Sequence, residues 1–98
     1  MTNPQTVVLI HGLWMNKWSM FYLGRYFKRR GYQVYYFSYP SVRRSLEENL
    51  EQLHTFIEQL PAQKIDMVGH SLGGILCLNY LQKYGADKIN HCVLLGSP

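Results

Sequence analysis

One serine of this chain stands in a sequence setting that suits nucleophilic catalysis. Ser71 is the centre of the segment GHSLG at 69–73, which matches the pattern Gly-x-Ser-x-Gly. The segment follows one apolar run and opens another, so it predicts a strand, a sharp turn and a helix, the arrangement called a nucleophile elbow. Gly69 and Gly73 lack the side chains that would collide as strand and helix approach each other. The turn would lift the Ser71 hydroxyl into a crevice, at a helix N-terminus whose free N–H groups stabilise negative charge.

Two other interpretations of this glycine-rich segment are weaker. A plain turn between a strand and a helix has no need of glycine on both sides of a central serine. A Walker-type phosphate loop requires a lysine after its last glycine, and Gly74 is followed by isoleucine instead. The segment therefore favours a catalytic serine, with His70 as its packing and hydrogen-bonding neighbour.

A second cluster, HGLW at 11–14, directly follows the first apolar run of the chain. Acyl transfer needs two N–H donors aimed at the developing oxyanion, each worth roughly 3–4 kcal/mol. We expect these donors to be the backbone N–H groups of Leu13 and Leu72, since a backbone donor tolerates any side chain. His11 is expected to support this loop rather than to act as the base. For Gly12, an ordinary strand-ending turn is the alternative interpretation.

Strands and helices must bring these segments to one edge of a sheet. Apolar runs and helical spacings predict the order β-α-β-α-β-α-β, with strands over 6–10, 32–38, 64–68 and 89–95 and helices over 18–30, 46–60 and 72–84. Short connections between such elements require a parallel sheet of about four strands with helices on both faces. In α/β sheets of this kind the chemistry collects beyond the carboxyl ends of the strands. The HGLW cluster, the segment SYPS at 38–41 and the serine segment all fall there.

Two helices have distinct sequence signals. Ser45 and Glu48 form a capping box at the start of the second helix, and Pro61 ends that helix. The first helix is expected to end before Gly31. We expect it to pack through an apolar stripe made of Trp18, Phe21, Tyr22, Tyr26 and Phe27.

Composition indicates a packed globular domain. Of the 98 residues, 47% are apolar and 16% charged, a balance that excludes a disordered or collagen-like chain. Cys77 and Cys92 lie in apolar stretches and are expected to be buried free thiols, with no zinc-binding spacing around them. We expect no metal or organic cofactor. Free thiols and the lack of a signal-like N-terminus favour a cytoplasmic location.

Charge is unevenly distributed along the chain. Residues 1–45 hold seven basic and no acidic residues, whereas 46–98 hold three basic and six acidic residues. A basic face could attract anionic substrates, phospholipid headgroups or nucleic acid. We favour a simpler interpretation, in which the run KRR at 28–30 stabilises the carbonyl end of the first helix. Nucleic-acid binding is not expected, because no base-reading motif accompanies the charge.

The motifs and their order resemble the N-terminal half of an α/β-hydrolase of the esterase/lipase type. The resemblance rests on VVLIHGLW (7–14), YFSYPS (36–41), DMVGHSLGG (66–74) and VLLGSP (93–98). It implies one partial α/β-hydrolase domain over 1–98 and a carboxylic ester hydrolase that acts through an acyl-Ser71 intermediate. Leu13 and Leu72 would be its oxyanion donors. The family's chain order also implies a catalytic acid and then a histidine after the serine.

The chain departs from that pattern because it has no acid and histidine after Ser71 at the expected end of the sheet. Only Asp87 and His91 follow Ser71, and both fall near the start of the fourth strand, at the opposite end of the sheet. We expect His91 to lie well over 10 Å from the serine, since strand residues rise by about 3.3 Å each. His54 is expected to be a surface or core histidine. The 98 residues alone are therefore expected to lack a base and to be inactive.

Substrate and partners are indicated only broadly. A small ester with acyl or lipid character is the expected substrate, and Trp14 and Tyr39 could line its pocket. Membrane contact is conceivable on charge alone, and nothing indicates an oligomeric state. The alternative function is that of a non-catalytic α/β-hydrolase-fold protein that holds a ligand without turnover.

Overall fold

A computed structural model describes residues 5–12, 17–39, 45–70 and 72–96. Four strands and three helices alternate in these ranges, as the sequence predicted. They are β1 (Thr6–Gly12), α1 (Lys17–Arg29), β2 (Gln33–Tyr39), α2 (Leu46–Glu58), β3 (Ile65–His70), α3 (Leu72–Tyr84) and β4 (Ile89–Leu95). The predicted bounds of α3 and β4 are confirmed, while β1 and β3 each continue two residues further toward their carboxyl ends than expected.

The four strands form one parallel sheet in the order β2-β1-β3-β4. β1 lies at its centre, where Ile10 pairs with Phe37 of β2 on one side and with Gly69 of β3 on the other. The last residue of β3, His70, pairs with Leu95 of β4. The register therefore places the carboxyl ends of all four strands side by side.

The residues of β1 explain why this strand is central. Val7, Val8, Leu9 and Ile10 are all 0% exposed, because helices cover both faces of the sheet. Successive side chains of a strand point to opposite faces, so this apolar run supplies both sides of the core. Val8 and Ile10 pack with α2 and α3, whereas Val7 and Leu9 pack with α1. The expectation of a strand buried on both faces is confirmed.

The buried face of α1 differs from the predicted one. Met20 is buried, and Leu23 and Phe27 pack beside it against the sheet. Three residues of the predicted stripe are exposed instead: Phe21 (63%), Tyr22 (81%) and Tyr26 (47%). Of that stripe only Phe27 is confirmed, and the side chain of Trp18 lies outside the described part of the structure. Aromatic residues occupy both sides of this helix, so hydrophobicity alone did not distinguish its inner face from its outer face.

The capping box of α2 is confirmed. The Ser45 hydroxyl accepts from the Glu48 N–H at 3.2 Å, and the Glu48 carboxylate accepts from the Ser45 N–H at 3.2 Å. The helix ends at Glu58, two residues before the expected end, and Gln59 caps it. Leu50, Leu53 and Ile57 form its buried side.

β4 is an edge strand of the four-stranded sheet. Val93 is 45% exposed and Leu94 is 38% exposed, so the strand presents apolar side chains to solvent. Leu95 differs from them, because it is half-buried against the core on the α1 side of the sheet. An apolar parallel edge of this kind can pair with other strands.

The two cysteines are free thiols on neighbouring elements, α3 and β4. Cys77 is buried as expected, but Cys92 is only half-buried. Their side chains share a hydrogen bond, and this bond lowers the pKa of the Cys92 thiol to about 7. The same hydrogen bond, followed by burial, holds the pKa of Cys77 well above its usual range.

This pairing predicts that alkylation by iodoacetamide is selective for Cys92. The thiolate is the reacting species, so the rate at Cys92 should be half-maximal near pH 7, where an ordinary thiol is only about 3% ionised. Peptide mapping after timed alkylation across the pH range measures this midpoint. In the Cys77→Ala variant the midpoint is expected to rise toward that of an ordinary thiol, about 8.5. A midpoint that is the same in both proteins would show that Cys77 does not influence Cys92.

Candidate active site

The serine segment lies at the tightest strand-to-helix connection of the sheet. β3 ends at His70 and α3 begins at Leu72, so a single position separates a buried strand from a helix. That position is Ser71, which lies outside the described residues. The strand predicted before the serine and the helix predicted after it are thus both present.

Two glycines permit this tight connection. A Cβ atom added at Gly69 would lie 2.6 Å from the Gly73 carbonyl oxygen and 2.6 Å from the Gly74 Cα, closer than real Cβ atoms approach other heavy atoms. A Cβ at Gly73 would lie 2.9 Å from the Ile10 carbonyl carbon and closer still to its oxygen. All of these obstructing atoms belong to the backbone. Any side chain at either position would therefore force strand and helix apart.

The approach of Gly73 also joins the two motifs of the sequence. The backbone of Ile10 and His11 at the end of β1 lies directly against the first turn of α3. Gly12 is the last residue of β1, so the loop that follows it starts beside the serine segment. Leu13 and Trp14, the predicted second oxyanion donor and a predicted substrate contact, lie outside the described residues.

His11 is held in place by the neighbouring strand. Its side chain is buried, and Nε2 lies 3.1 Å from the Ser38 hydroxyl oxygen of β2, within hydrogen-bond distance. The two residues are also direct partners in the β1–β2 register. This arrangement suits the supporting role that the sequence indicates for His11. The sequence analysis did not identify Ser38 as its partner, because only the strand register brings these two residues together.

Leu72 is the first residue of α3, and its side chain is 48% exposed. The N–H groups of a first helical turn have no acceptor within their own helix. The Leu72 N–H is therefore available for a ligand at the position directly after the serine. Its use as an oxyanion donor remains a prediction.

His70 faces the α1 side of the site. Its Nδ1 atom is buried and has no hydrogen-bond partner among the described residues. The ring lines an apolar cavity of about 280 Å³ together with Tyr22 and Tyr26 of α1 and Leu95 of β4. The His70 ring thus lies beside apolar side chains, and its Nδ1 atom makes no hydrogen bond with the described residues.

The two remaining histidines are occupied elsewhere. His54 Nδ1 lies 3.2 Å from the Tyr80 hydroxyl, and the His54 ring stacks on that of Tyr84 at 4.0 Å between centroids. His91 Nδ1 lies 3.0 Å from a carboxylate oxygen of Asp66. Asp66 lies four residues before His70, the last residue of β3, so about 13 Å of strand separates the two. Both histidines are thus structural, and neither lies near the elbow.

Tyr39 lies in the core rather than on an open surface. It is 4% exposed, and burial, followed by the charge of Cys77, raises the pKa of Tyr39 to about 12. Its ring stacks on that of Phe37 within the core on the α2 and α3 side of the sheet. This placement supports a packing role, and contact with a substrate remains a prediction.

No group of three or more metal-ligating side chains occurs within the ranges that the structure covers. The chemistry that the arrangement offers is that of a serine hydroxyl between a strand and a helix. The N–H groups of the first turn of α3 have no acceptor within their own helix, and this turn lies against the backbone of Ile10 and His11.

Comparison with known proteins identifies the fold. Residues 5–98 match the family model for the alpha/beta hydrolase fold. A bromoperoxidase from Bacillus anthracis is 30% identical, with a TM-score of 0.81 over 97% of this chain and 37% of its own. An esterase from Exiguobacterium antarcticum is 23% identical, with a TM-score of 0.80 over 99% of this chain and 39% of its own.

A third structure is an alpha/beta hydrolase from a lagoon-sediment metagenome, 23% identical, with a TM-score of 0.83 over 98% of this chain and 46% of its own. A comparison with curated protein sequences gives no significant match. The chain spans less than half the length of the solved structures that it resembles. The chain belongs to the alpha/beta hydrolase family, and its four-stranded sheet corresponds to the N-terminal part of that fold.

Proposed function

We propose that this chain supplies the nucleophile and the oxyanion hole of a serine hydrolase of the esterase/lipase type. The observation that carries the proposal is the backbone packing of Gly69 and Gly73, which leaves a single residue, Ser71, between strand and helix. Such a connection projects its central side chain away from both elements. Hydrolase-family membership and the resemblance to esterase structures support the same chemistry.

In the proposed mechanism the Ser71 oxygen attacks the carbonyl carbon of a carboxylic ester. The tetrahedral oxyanion accepts hydrogen bonds from the N–H groups of Leu13 and Leu72, and the alcohol then leaves with an acyl-serine remaining. Water hydrolyses this acyl group and restores the hydroxyl. His11 and Ser38 hold the loop after β1 in position for the first of these donors.

The general base is proposed to come from a later part of the hydrolase. The chain has four histidines. His11, His54 and His91 are paired with Ser38, Tyr80 and Asp66, and His70 directly precedes the serine. A neutral serine hydroxyl is a weak nucleophile without a base beside it. We therefore expect the 98-residue chain by itself to show little activity, whereas the full-length hydrolase turns over esters.

A fluorophosphonate probe tests this proposal, because it reacts covalently with an activated serine. In the full-length hydrolase we expect stoichiometric labelling, with the adduct on the peptide that contains Ser71 and no labelling of the Ser71→Ala variant. The 98-residue chain is expected to label at least about 1000-fold more slowly, since it lacks the base.

Ser38 provides the matched comparison, because its hydroxyl oxygen lies 3.1 Å from the Nε2 atom of His11. An adduct on Ser38, or labelling that survives Ser71→Ala, would refute the assignment of the nucleophile. A folded full-length protein that binds ester analogues without labelling would instead support the non-catalytic alternative.

A further inference from the structure

The outward side of α1 carries a regular pattern of tyrosines and arginines. Tyr22, Arg25, Tyr26 and Arg29 recur at the spacing i, i+3, i+4, i+7, which places them in one stripe. We call this stripe the outer face of α1. Tyr22 is 81% exposed, Tyr26 is 47% exposed, and both arginines are exposed. The stripe therefore lies opposite the buried side of the same helix.

Further cations and an aromatic ring flank the outer face. Lys28 and Arg30 are exposed beside it, and α1 contains no acidic residue. The Arg30 guanidinium lies 3.6 Å from the centroid of the Tyr26 ring and donates a hydrogen bond to the Tyr26 carbonyl at 3.3 Å. Phe21, 63% exposed, lies on the other flank. Positive charge and aromatic rings are thus mixed on one exposed surface.

This mixture matches the chemistry of a lipid surface. Tyrosine rings favour the boundary between acyl chains and headgroups, where the ring is apolar and the hydroxyl is hydrated. Arginine can extend its apolar stem along that boundary and pair its guanidinium with phosphate oxygens. An amphipathic helix with cations among exposed aromatic residues is typical of proteins that lie on a membrane without crossing it. None of the helices in the described ranges is long and apolar enough to span a bilayer.

We propose that the outer face of α1 docks on an anionic phospholipid bilayer. The occupant follows from charge complementarity, because Arg25, Lys28, Arg29 and Arg30 present four exposed cations and α1 contains no acidic residue. Nucleic acid would also attract these cations, but it would leave the most exposed ring, Tyr22, without an apolar environment. Tyr22 and Tyr26 also line the cavity beside His70, but vesicle binding requires no ester cleavage and can be measured separately from hydrolysis.

Co-sedimentation with vesicles tests the electrostatic part of the proposal. The full chain should bind vesicles made of equal parts phosphatidylglycerol and phosphatidylcholine, and bind pure phosphatidylcholine much more weakly. Each cation near an anionic surface contributes about fivefold in partitioning, so the charge-reversed variant Arg25→Glu/Arg29→Glu should lose at least about 25-fold. The matched control, Lys64→Glu/Lys83→Glu, makes the same change in net charge on exposed residues outside α1 and should lose much less.

A second pair of variants tests the apolar part. Tyr22→Ala removes the most exposed ring and should weaken vesicle binding by about fivefold, consistent with partial burial of that ring in the interface. Leu78→Ala removes a side chain of α3 that is 51% exposed and should leave binding within about twofold of the wild type. Far-UV circular dichroism of each variant checks that its helices are intact.

The charge variants and the apolar variants together test whether the outer face of α1 docks on the bilayer. Loss of binding in both α1 variants, with both controls retained, supports docking through the outer face. Equal binding of the wild type and of Arg25→Glu/Arg29→Glu to phosphatidylglycerol vesicles would overturn the proposal. So would binding to duplex DNA that exceeds vesicle binding and depends on the arginines but not on Tyr22, because the surface would then recognise polyanions rather than lipid.

Discussion

Replacing Gly73 with alanine is expected to lower the free energy of unfolding by about 2–3 kcal/mol. The added Cβ would collide with the carbonyl group of Ile10, which belongs to the central strand and is 0% exposed. Alanine in a helix normally gains close to 1 kcal/mol over glycine, so the collision must first cancel that gain. The obstructing atoms are backbone atoms held in two strand ladders and cannot rotate away, so we expect the collision to dominate.

Urea unfolding followed by circular dichroism measures this loss, which would lower the melting temperature by roughly 10–20 °C. Gly85→Ala is the matched control, since Gly85 has a φ of +81° and nothing within 4 Å of an added Cβ. It should lose only about 1 kcal/mol, from the left-handed backbone alone. A Gly73→Ala protein as stable as the wild type would mean that the elbow is not closely packed against β1.

Gly69 and Gly73 should also be coupled energetically. An added Cβ at Gly69 meets the backbone of Gly73 and Gly74 and pushes α3 away from β3, whereas one at Gly73 pushes the same helix turn away from the neighbouring strand β1. Once one substitution has separated strand and helix, the second meets less resistance. The double variant is therefore expected to lose less stability than the two single variants together.

The order of strands and helices was predictable because each signal is local. Val7–Ile10 contains only apolar residues, Ser45 and Glu48 form a capping box, and glycine or proline follows each helix. The ends of β1 and β3 were less predictable. Glycine at 12 and at 69 suggested that the strands stop there. Both strands continue instead, because Gly12 pairs with Tyr39 of β2 and Gly69 pairs with Leu94 of β4. The pairing partner of a strand residue depends on how the strands are arranged in the sheet, so it cannot be inferred from the sequence of one segment.

Contacts between distant residues could not be predicted from the sequence. His11 meets Ser38, Asp66 meets His91, and Cys77 interacts with Cys92, each through strand register or helix placement. The outer face of α1 was missed for a related reason. Its tyrosines are aromatic residues at helical spacing, like Phe27 of the inner face, so only the packing of Met20 against the sheet shows which side is buried.

Within the proposed function, removal of the Leu72 N–H should have the largest effect on catalysis after loss of the nucleophile itself. Leu72→Pro removes this donor and keeps the hydrogen bonds within α3, because proline is well tolerated at the first position of a helix, where the N–H has no partner in the helix. Loss of one oxyanion donor typically lowers kcat by about 100- to 1000-fold. The loss should fall on kcat rather than on KM, since the hydrogen bond strengthens only as the oxyanion forms.

Leu72→Ala is the matched comparison, because it shortens the exposed side chain and keeps the N–H. In the full-length hydrolase, with a p-nitrophenyl ester as substrate, kcat of Leu72→Pro should lie about 100- to 1000-fold below that of Leu72→Ala. Equal urea midpoints for the two variants would show that α3 is intact in both. If the two proteins are equally stable and also share one kcat, the Leu72 N–H does not contact the oxyanion. The proposed hole would then need its donors from elsewhere in the loop after Gly12.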